Sequence, residues 1–201
     1  EEIYRMAKKK NGCVKAVFGG QFGDEGKGKI VDYLAQNAHI VARFNGGNNA
    51  GHSVKNHLGD FKLSSVPSGI VSGVSGQIQI MGPGVVWDPW YLVQELKGLE
   101  ARGIDISGLR IDEASHLVMP WHISEDYLEE SRLGENKIGT TKKGIGPCYA
   151  DKMRKAGFRA GDLLNFAKFR KDFKAMYEIK EDHFAKCYGS PNTMARPEIV
   201  L

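Results

Sequence analysis

The sequence lacks long hydrophobic runs, and it has few cysteines. No apolar stretch approaches the roughly 20 residues that span a bilayer, and no secretory signal pattern is present, so we expect neither a membrane protein nor a secreted one. The three cysteines, Cys13, Cys148 and Cys187, are odd in number and lack metal-ligand spacing. Free thiols in a reducing cytoplasm are therefore favoured over a disulfide framework.

Charge of one sign is also not in large excess. The chain has 28 Lys and Arg against 24 Asp and Glu, a net charge of +4. Such a mild charge suits an anionic small ligand and gives no argument for nucleic acid as a partner. At 201 residues, without internal repeats or low-complexity segments, the chain can bury one sizeable core. Because it starts at Glu1 and ends in an apolar Ile-Val-Leu, it resembles a cut through a larger fold.

The chain is organised around a glycine-rich segment between a predicted buried strand, residues 14–18, and a predicted helix, residues 28–36. Residues 23–29, G-D-E-G-K-G-K, contain the G-x-x-x-x-G-K skeleton of a phosphate-binding loop, whose main-chain N–H groups face a phosphate. The Ser or Thr that would bind Mg²⁺ is replaced by Ile30, so Asp24 is the candidate oxygen donor. Asp24 therefore indicates metal binding, proton transfer or both; the alternative is a plain glycine-rich turn.

A second candidate loop follows the next predicted strand, residues 39–44, which a right-handed crossover would connect to the first. Residues 45–52 read N-G-G-N-N-A-G-H. Glycine permits close approach to a ligand, and asparagine offers both a donor and an acceptor. His52 can donate to an oxyanion and titrates near neutral pH. Since the carboxyl ends of strands are where open α/β sheets bind ligands, a functional His52 is favoured over a structural one.

The other elements are predicted from periodicity and turn residues. Helices are predicted over residues 88–103, 124–132 and 162–189, hairpins over 54–76, and short strands over 78–81, 109–111 and 116–119. The strand at 78–81 is expected to enter a loop at Gly82-Pro83-Gly84. An aromatic stripe from Phe166 to Tyr177 is interpreted as packing, and His116 and His122 are interpreted as structural. Core or edge packing is favoured for Trp87 and Trp90, and base stacking is the alternative.

A third candidate segment is the stretch of residues 138–147, I-G-T-T-K-K-G-I-G-P. Its two hydroxyls, two lysines and three glycines offer the donors that phosphate or carboxylate prefers. A basic surface hairpin is an equally good interpretation of this segment alone.

Together, three motif segments resemble adenylosuccinate synthetase, the GTP-dependent family of purine biosynthesis. They are residues 21–29, residues 46–52, and residues 139–147 followed by Tyr149 and Lys152. The resemblance runs from about residue 14 to about residue 164. It implies an α/β fold with a mainly parallel, P-loop-like central sheet, flanking helices and small antiparallel hairpins. We expect a polar leader over residues 1–12 and a single nucleotide-binding domain over 13–201.

The family's chemistry is the ligation of L-aspartate to IMP through 6-phosphoryl-IMP, which yields adenylosuccinate, GDP and phosphate in a cytoplasmic homodimer. The resemblance implies that Asp24 takes the IMP N1 proton and binds Mg²⁺ with the Gly51 carbonyl, while His52 acts as the acid. Implied GTP-binding residues are Gly23, Asp24, Glu25, Gly26, Lys27, Gly28, Lys29, Gly51, His52 and Ser53. Implied IMP-binding residues are Asp24, Glu25, Gly26, Lys27, Asn49, Ala50, Gly51, His52, Thr141 and Lys155.

Two positions depart from the family pattern. Lys155 stands where many members have an arginine that reaches the IMP phosphate of the neighbouring subunit, and lysine lacks the bidentate fork, although Arg154 is adjacent. Lys143 stands where many members have Arg. Family members are also considerably longer, and their guanine and aspartate sites lie in the second half. Alternatives are a non-catalytic fragment that binds nucleotide or dimerises, a paralogue for another purine nucleotide, and an unrelated P-loop NTPase switch, against which Ile30 counts.

Overall fold

The computed structural model describes residues 12–21, 23 and 25–189, so the predicted leader lies almost wholly outside the described residues. The α-helices in this part of the chain are α1 (Lys27–Ala35), α2 (Pro89–Glu100), α3 (Pro120–Arg132), α4 (Ile145–Arg154) and α5 (Phe166–Tyr188). The strands are β1 (Ile40–Gly46), β2 (His52–Asn56), β3 (Gly59–Leu63), β4 (Ile78–Trp87), β5 (Leu109–Ile111) and β6 (His116–Leu117). Short 3₁₀ turns occupy Ser68–Val71, Gly134–Asn136 and Ala160–Asn165. None of the described helices combines the length and the hydropathy that crossing a bilayer requires.

The central sheet is parallel. Its strands run in the order β1-β4-β5, and β6 pairs with the end of β4. Ile40 lies opposite Ile78 and Val86 lies opposite His116, while β2 and β3 form a separate antiparallel hairpin. The predicted α/β class, with a mainly parallel sheet, flanking helices and an antiparallel hairpin, is confirmed.

Strand β4 continues through the residues that were predicted to form a loop. The register between β1 and β4 shifts after Arg43, so that Asn45 lies opposite Gly84. A Cβ on Gly84 would lie 2.1 Å from the main-chain oxygen of Phe44. Because any side chain would clash there, the position requires glycine. The Gly-Pro-Gly sequence therefore marks a bulge inside the strand, where a proline is tolerated because the ladder is already interrupted.

The predicted first strand, residues 14–18, is wrong. These residues form no regular secondary structure and pair with no other described residue, and Val14 is 94% and Phe18 75% exposed. The predicted crossover from this segment to the strand at 39–44 is consequently absent. An apolar run favours a strand only where a neighbour supplies hydrogen bonds and a packing surface, and composition cannot supply either.

The structure corrects several other element boundaries. Helix α2 begins as predicted, because the Asp88 carboxylate accepts from the Tyr91 N–H at 3.1 Å, and Gly103 follows its end with a φ of 77°. Helix α3 begins at Pro120, four residues before the predicted start, and α4 replaces part of the third candidate segment. Trp87 is buried as predicted, whereas Trp90 is exposed, so a packing role for Trp90 is wrong.

The aromatic stripe on α5 packs as predicted against α3. Phe169, Phe173 and Tyr177 are buried, and the Phe173 ring lies 5.2 Å from that of Trp121. Phe166, at the start of the stripe, is exposed. This core fixes α3 beneath the third motif segment.

Candidate functional site

The three motif segments meet around residues 46–52. The loop after β1 is shorter than predicted, since Asn45 and Gly46 still belong to β1 and His52 begins β2, which leaves residues 47–51. A Cβ on Gly28, in the first turn of α1, would lie 2.9 Å from the Cβ of His52, so the first segment directly contacts the second. The Tyr149 hydroxyl accepts from the Gly46 N–H at 2.9 Å and lies 2.7 Å from the Gly84 carbonyl, to which it donates. Lys143 donates to the Asn48 carbonyl at 3.1 Å. The structure thus assembles segments that lie almost one hundred residues apart.

The described part of the glycine-rich loop surrounds a carboxylate. Glu25 pairs with Lys27 and accepts from the main-chain N–H groups of Gln21 at 3.2 Å and Gly23 at 3.4 Å. The hydrogen bond from Lys27, reinforced by these N–H groups, lowers the pKa of Glu25 to about 2. The donors of this loop therefore converge on an anion, which here is the chain's own side chain. Asp24 lies outside the described residues, so its predicted proximity to His52 stays a prediction.

His52, the first residue of β2, is half-buried beside α1. Its Nδ1 lies 3.3 Å from the Ser68 hydroxyl. Burial lowers the pKa of His52, and the nearby cations Arg43 and Lys27 lower it further. The imidazole therefore favours its neutral form, which still offers one N–H donor and one acceptor.

Arg43 is a site residue that the sequence analysis missed. Arg43 is half-buried, and its guanidinium donates to the carbonyls of Ser64, Ser65 (2.9 Å) and Gly47 (2.6 Å). It thereby fixes the start of the second motif segment and places a cation near His52. The available signal was an arginine inside an otherwise apolar predicted strand, which calls for buried acceptors.

The third motif segment is a loop that leads into helix α4, so the surface-hairpin interpretation is wrong. We call residues 139–144 the threonine loop. Thr140 and Thr141 are exposed, and Gly144 caps α4 with a φ of 70°. The loop presents two hydroxyls to solvent beside the second motif segment, to which Lys143 ties it.

Most of the other predicted ligand-binding residues are accessible. Lys29, Asn49, Gly51 and Ser53 are exposed, and Ala50 is half-buried. Lys29 and Ser53 line one end of a groove of about 830 Å³ between the β2–β3 hairpin and α2. Lys155 stands apart, since it follows the far end of α4, about 15 Å from the threonine loop by the rise of a ten-residue helix. Its φ of 61° is left-handed, which is uncommon for a lysine.

Comparison with known proteins identifies what this arrangement is similar to. The sequence model of the adenylosuccinate synthetase family matches residues 16–200. Adenylosuccinate synthetase from Heliobacterium modesticaldum is 50% identical over 173 residues, which are 86% of this chain and 40% of that protein. The Moorella thermoacetica relative is 49% identical with the same coverage. The chain therefore spans about 40% of the length of these curated relatives.

Two solved structures are similar in fold. The fully ligated adenylosuccinate synthetase from Plasmodium falciparum superposes with a TM-score of 0.76 at 35% identity, over 90% of this chain and 41% of that one. The cyanophage S-2L succinoaminodeoxyadenylate synthetase, bound to dGMP and dATP, has a TM-score of 0.55 at 24% identity over 72% of this chain and 40% of that one. The second comparison supports the fold alone.

Proposed function

Because this chain belongs to the adenylosuccinate synthetase family, we propose that it is the nucleotide-binding part of an enzyme that ligates L-aspartate to IMP using GTP. The observation that carries the proposal is the convergence of the three motif segments on residues 46–52. In the glycine-rich loop, two main-chain N–H groups and Lys27 already bind the Glu25 carboxylate, and such donors also suit a phosphate. We propose that residues 13–201 act as one domain of a cytoplasmic homodimer.

In the proposed reaction, Asp24 removes the N1 proton of IMP, and the 6-oxygen then attacks the γ-phosphorus of GTP while the bond to GDP breaks. His52 donates a hydrogen bond to the negative charge that develops on the phosphoryl group. The amine of L-aspartate then displaces phosphate from 6-phosphoryl-IMP, leaving adenylosuccinate. The contact between His52 and the first turn of α1 supports this role, because it puts the imidazole beside the glycine-rich loop.

Magnesium fits the donors of this chain. Among the described residues, no group of three or more His, Cys, Asp or Glu could hold a metal by itself. A magnesium ion bound with a nucleotide takes most of its ligands from phosphate and water, so Asp24 and one carbonyl suffice. Gly51 is exposed, and no described atom lies within 4 Å of the place that a Cβ on it would occupy, so a ligand can approach this residue closely. When bound there, the ion would neutralise charge on the transferred phosphoryl group.

We assign the GTP phosphates to residues 23–29 with Gly51 and Ser53, and IMP to Asn49, Ala50 and Thr141 beside the catalytic pair. Support for this division comes from Lys29 and Ser53 lining one groove, while the threonine loop lies on the side of Asn48. Lys155 lies at the far end of α4, so we propose that it reaches the IMP phosphate of the neighbouring subunit.

Nucleotide binding tests the proposal. Calorimetric titration of the 201-residue chain with GTP and Mg²⁺ should show weak binding, and Lys27→Ala should weaken it roughly tenfold, or about 1.4 kcal/mol, through loss of a charged donor. Lys97→Ala, an exposed lysine of α2, is the matched control and should bind like the wild type. Wild-type protein that binds no GTP, or equal binding by wild type and Lys27→Ala, would contradict the proposal.

Turnover is a separate test. With IMP, GTP, Mg²⁺ and L-aspartate, this chain alone should give no adenylosuccinate absorbance change, because it spans only about 40% of its relatives. A clear absorbance change would show that the remaining 60% of the relatives' length is dispensable. Titration with dGMP in place of IMP distinguishes the paralogue, which would bind dGMP more tightly.

A further inference from the structure

We propose that Asp126 and Glu130 are positioning residues, which hold the threonine loop in the conformation that binds IMP. The inference rests on the proposed function, because it concerns the loop to which IMP is assigned there. The two carboxylates lie one helical turn apart on α3, and neither belongs to the three motif segments. They act through the main chain of the loop and do not touch the nucleotide themselves.

Each carboxylate holds one end of the threonine loop. Glu130 Oε1 accepts from the Gly139 N–H at 2.6 Å, and Asp126 Oδ2 accepts from the Gly144 N–H at 2.9 Å. Both carboxylates are buried, whereas Thr140 and Thr141 between the two anchored glycines are exposed. The two exposed threonines therefore lie between two main-chain positions that are each held by a hydrogen bond.

Each of these two carboxylates accepts a hydrogen bond from a main-chain donor of the loop. Within the described residues, no Lys, Arg or His nitrogen lies within 4 Å of either carboxylate, although Glu125 and Asp151 nearby are both paired with Lys180. Burying a charge is unfavourable unless its hydrogen bonds are good, and a charged acceptor roughly doubles the strength of an N–H hydrogen bond. Two such bonds at the ends of a six-residue loop therefore restrict it strongly.

The threonine loop also contacts the second motif segment. Lys143 donates to the Asn48 carbonyl and lies 4.5 Å from the centre of the Tyr91 ring. At the other anchor, a Cβ on Gly144 would lie 2.7 Å from the main-chain carbon of His122, so the loop end packs directly on α3. Release of either carboxylate would therefore change the position of Thr141 relative to Asn49, the two residues assigned to IMP.

The test compares Asp126→Ala and Glu130→Ala with Asp126→Asn and Glu130→Gln in the 201-residue chain. The amides keep an accepting oxygen and the alanines do not. We expect each alanine variant to bind IMP at least tenfold more weakly while GTP affinity changes less than twofold, and the amide variants to recover most of the loss. Glu129→Ala, an exposed neighbour on α3, is the control and should bind IMP like the wild type.

Hydrogen exchange at the two anchored glycines supplies a readout that does not require nucleotide. The amides of Gly139 and Gly144 should exchange at least tenfold faster in the corresponding alanine variants and stay protected in Glu129→Ala. Unchanged exchange, unchanged IMP affinity in the alanine variants, or equal loss of GTP and IMP affinity would overturn the positioning role. Wild-type chain that binds no IMP would instead overturn the IMP assignment of the proposed function and with it the link between the loop and IMP. Faster exchange in the alanine variants would then still support the anchoring of the loop by the two carboxylates, and unchanged exchange would overturn it.

Discussion

The ring of His122 is held by hydrogen bonds at both nitrogens. The Met119 N–H donates to Nδ1 at 2.9 Å, so the ring proton sits on Nε2 and is donated to Asp151 at 3.1 Å. Burial lowers the pKa of His122 in spite of the neighbouring carboxylate. Burial acts to raise the pKa of Asp151, but hydrogen bonds from His122 and Lys180 bring it down to about 2. The partners of His122 are Met119, which directly precedes α3, and Asp151 on α4, so the ring has the structural role that was predicted.

Because the pKa of His122 in the folded chain is below the ordinary 6.5, the unfolded chain binds the proton first as the pH falls. The free energy of unfolding should therefore be highest above pH 6.5 and decline as the pH falls below it. Burial lowers the pKa of His52 and His116 as well, so these residues add to the decline. Urea denaturation between pH 5 and 8 measures this dependence.

Substitution at His122 identifies its share of the pH dependence. His122→Gln should flatten it, and His183→Gln, at an exposed site on α5, should leave it unchanged. A stability that is constant or rises towards pH 5.5 in the wild type would contradict the prediction. An NMR titration of the His122 ring gives the same answer in the wild type, without any substitution.

Helix α5 packs on α3 through an apolar contact, and it is linked to α3 and α4 by ion pairs. Phe173 lies between Phe169 and Tyr177, with ring centres 6.0 and 6.3 Å away. Two turns after Phe173, Lys180 is buried and pairs with Asp151 at 2.8 Å and Glu125 at 3.4 Å. The helix thereby fixes α3 and α4, which carry the anchors and the cap of the threonine loop.

Phe173→Ala should lower the free energy of unfolding by about 3–5 kcal/mol, because it removes a fully buried ring and leaves a cavity. Ile179→Ala, on the exposed side of the same helix, should change it by less than about 0.5 kcal/mol. Chemical denaturation of both variants measures the difference. Similar losses in the two variants would mean that α5 does not pack as described.

For the whole molecule, the notable feature is a sheet with one open face. Ile40 is 51% and Phe44 56% exposed, whereas Val41 and Met81, which point to the other face, are buried. Parallel sheets are normally covered on both faces, so this surface is unusual for an α/β protein. The chain also spans about 40% of the length of its curated relatives.

Since the open face is already in water, Ile40→Lys and Phe44→Lys together should change the free energy of unfolding by less than about 1 kcal/mol. The double variant should bind less of a hydrophobic dye such as ANS. Val41→Lys, which inserts a charge into the covered face, should unfold the protein. Strong destabilisation by the double variant would show that the face is covered.

The sequence by itself determined the features that depend on neighbouring residues. Asp88 and Pro89 start a helix through a local cap, the aromatic stripe of α5 follows from helical spacing, and the glycine-rich stretches before α1 and after β1 form loops as their composition predicts. The three motif segments are also sufficient to identify the family from the sequence. Each of these signals is contained within about twenty residues.

Only the tertiary structure decided which of these local signals are realised and what surrounds the site. The run at 14–18 pairs with no other described residue, the Phe44 carbonyl leaves room only for glycine at position 84, and Arg43 donates to Ser65 some twenty residues away. In the sequence, Asp126 and Glu130 are indistinguishable from ordinary helix charges, and only the folded loop shows that they bind its main chain. The physical reason is that hydrogen bonds and side-chain packing connect residues that are distant in sequence, and such partners cannot be deduced from the local spacing of residues.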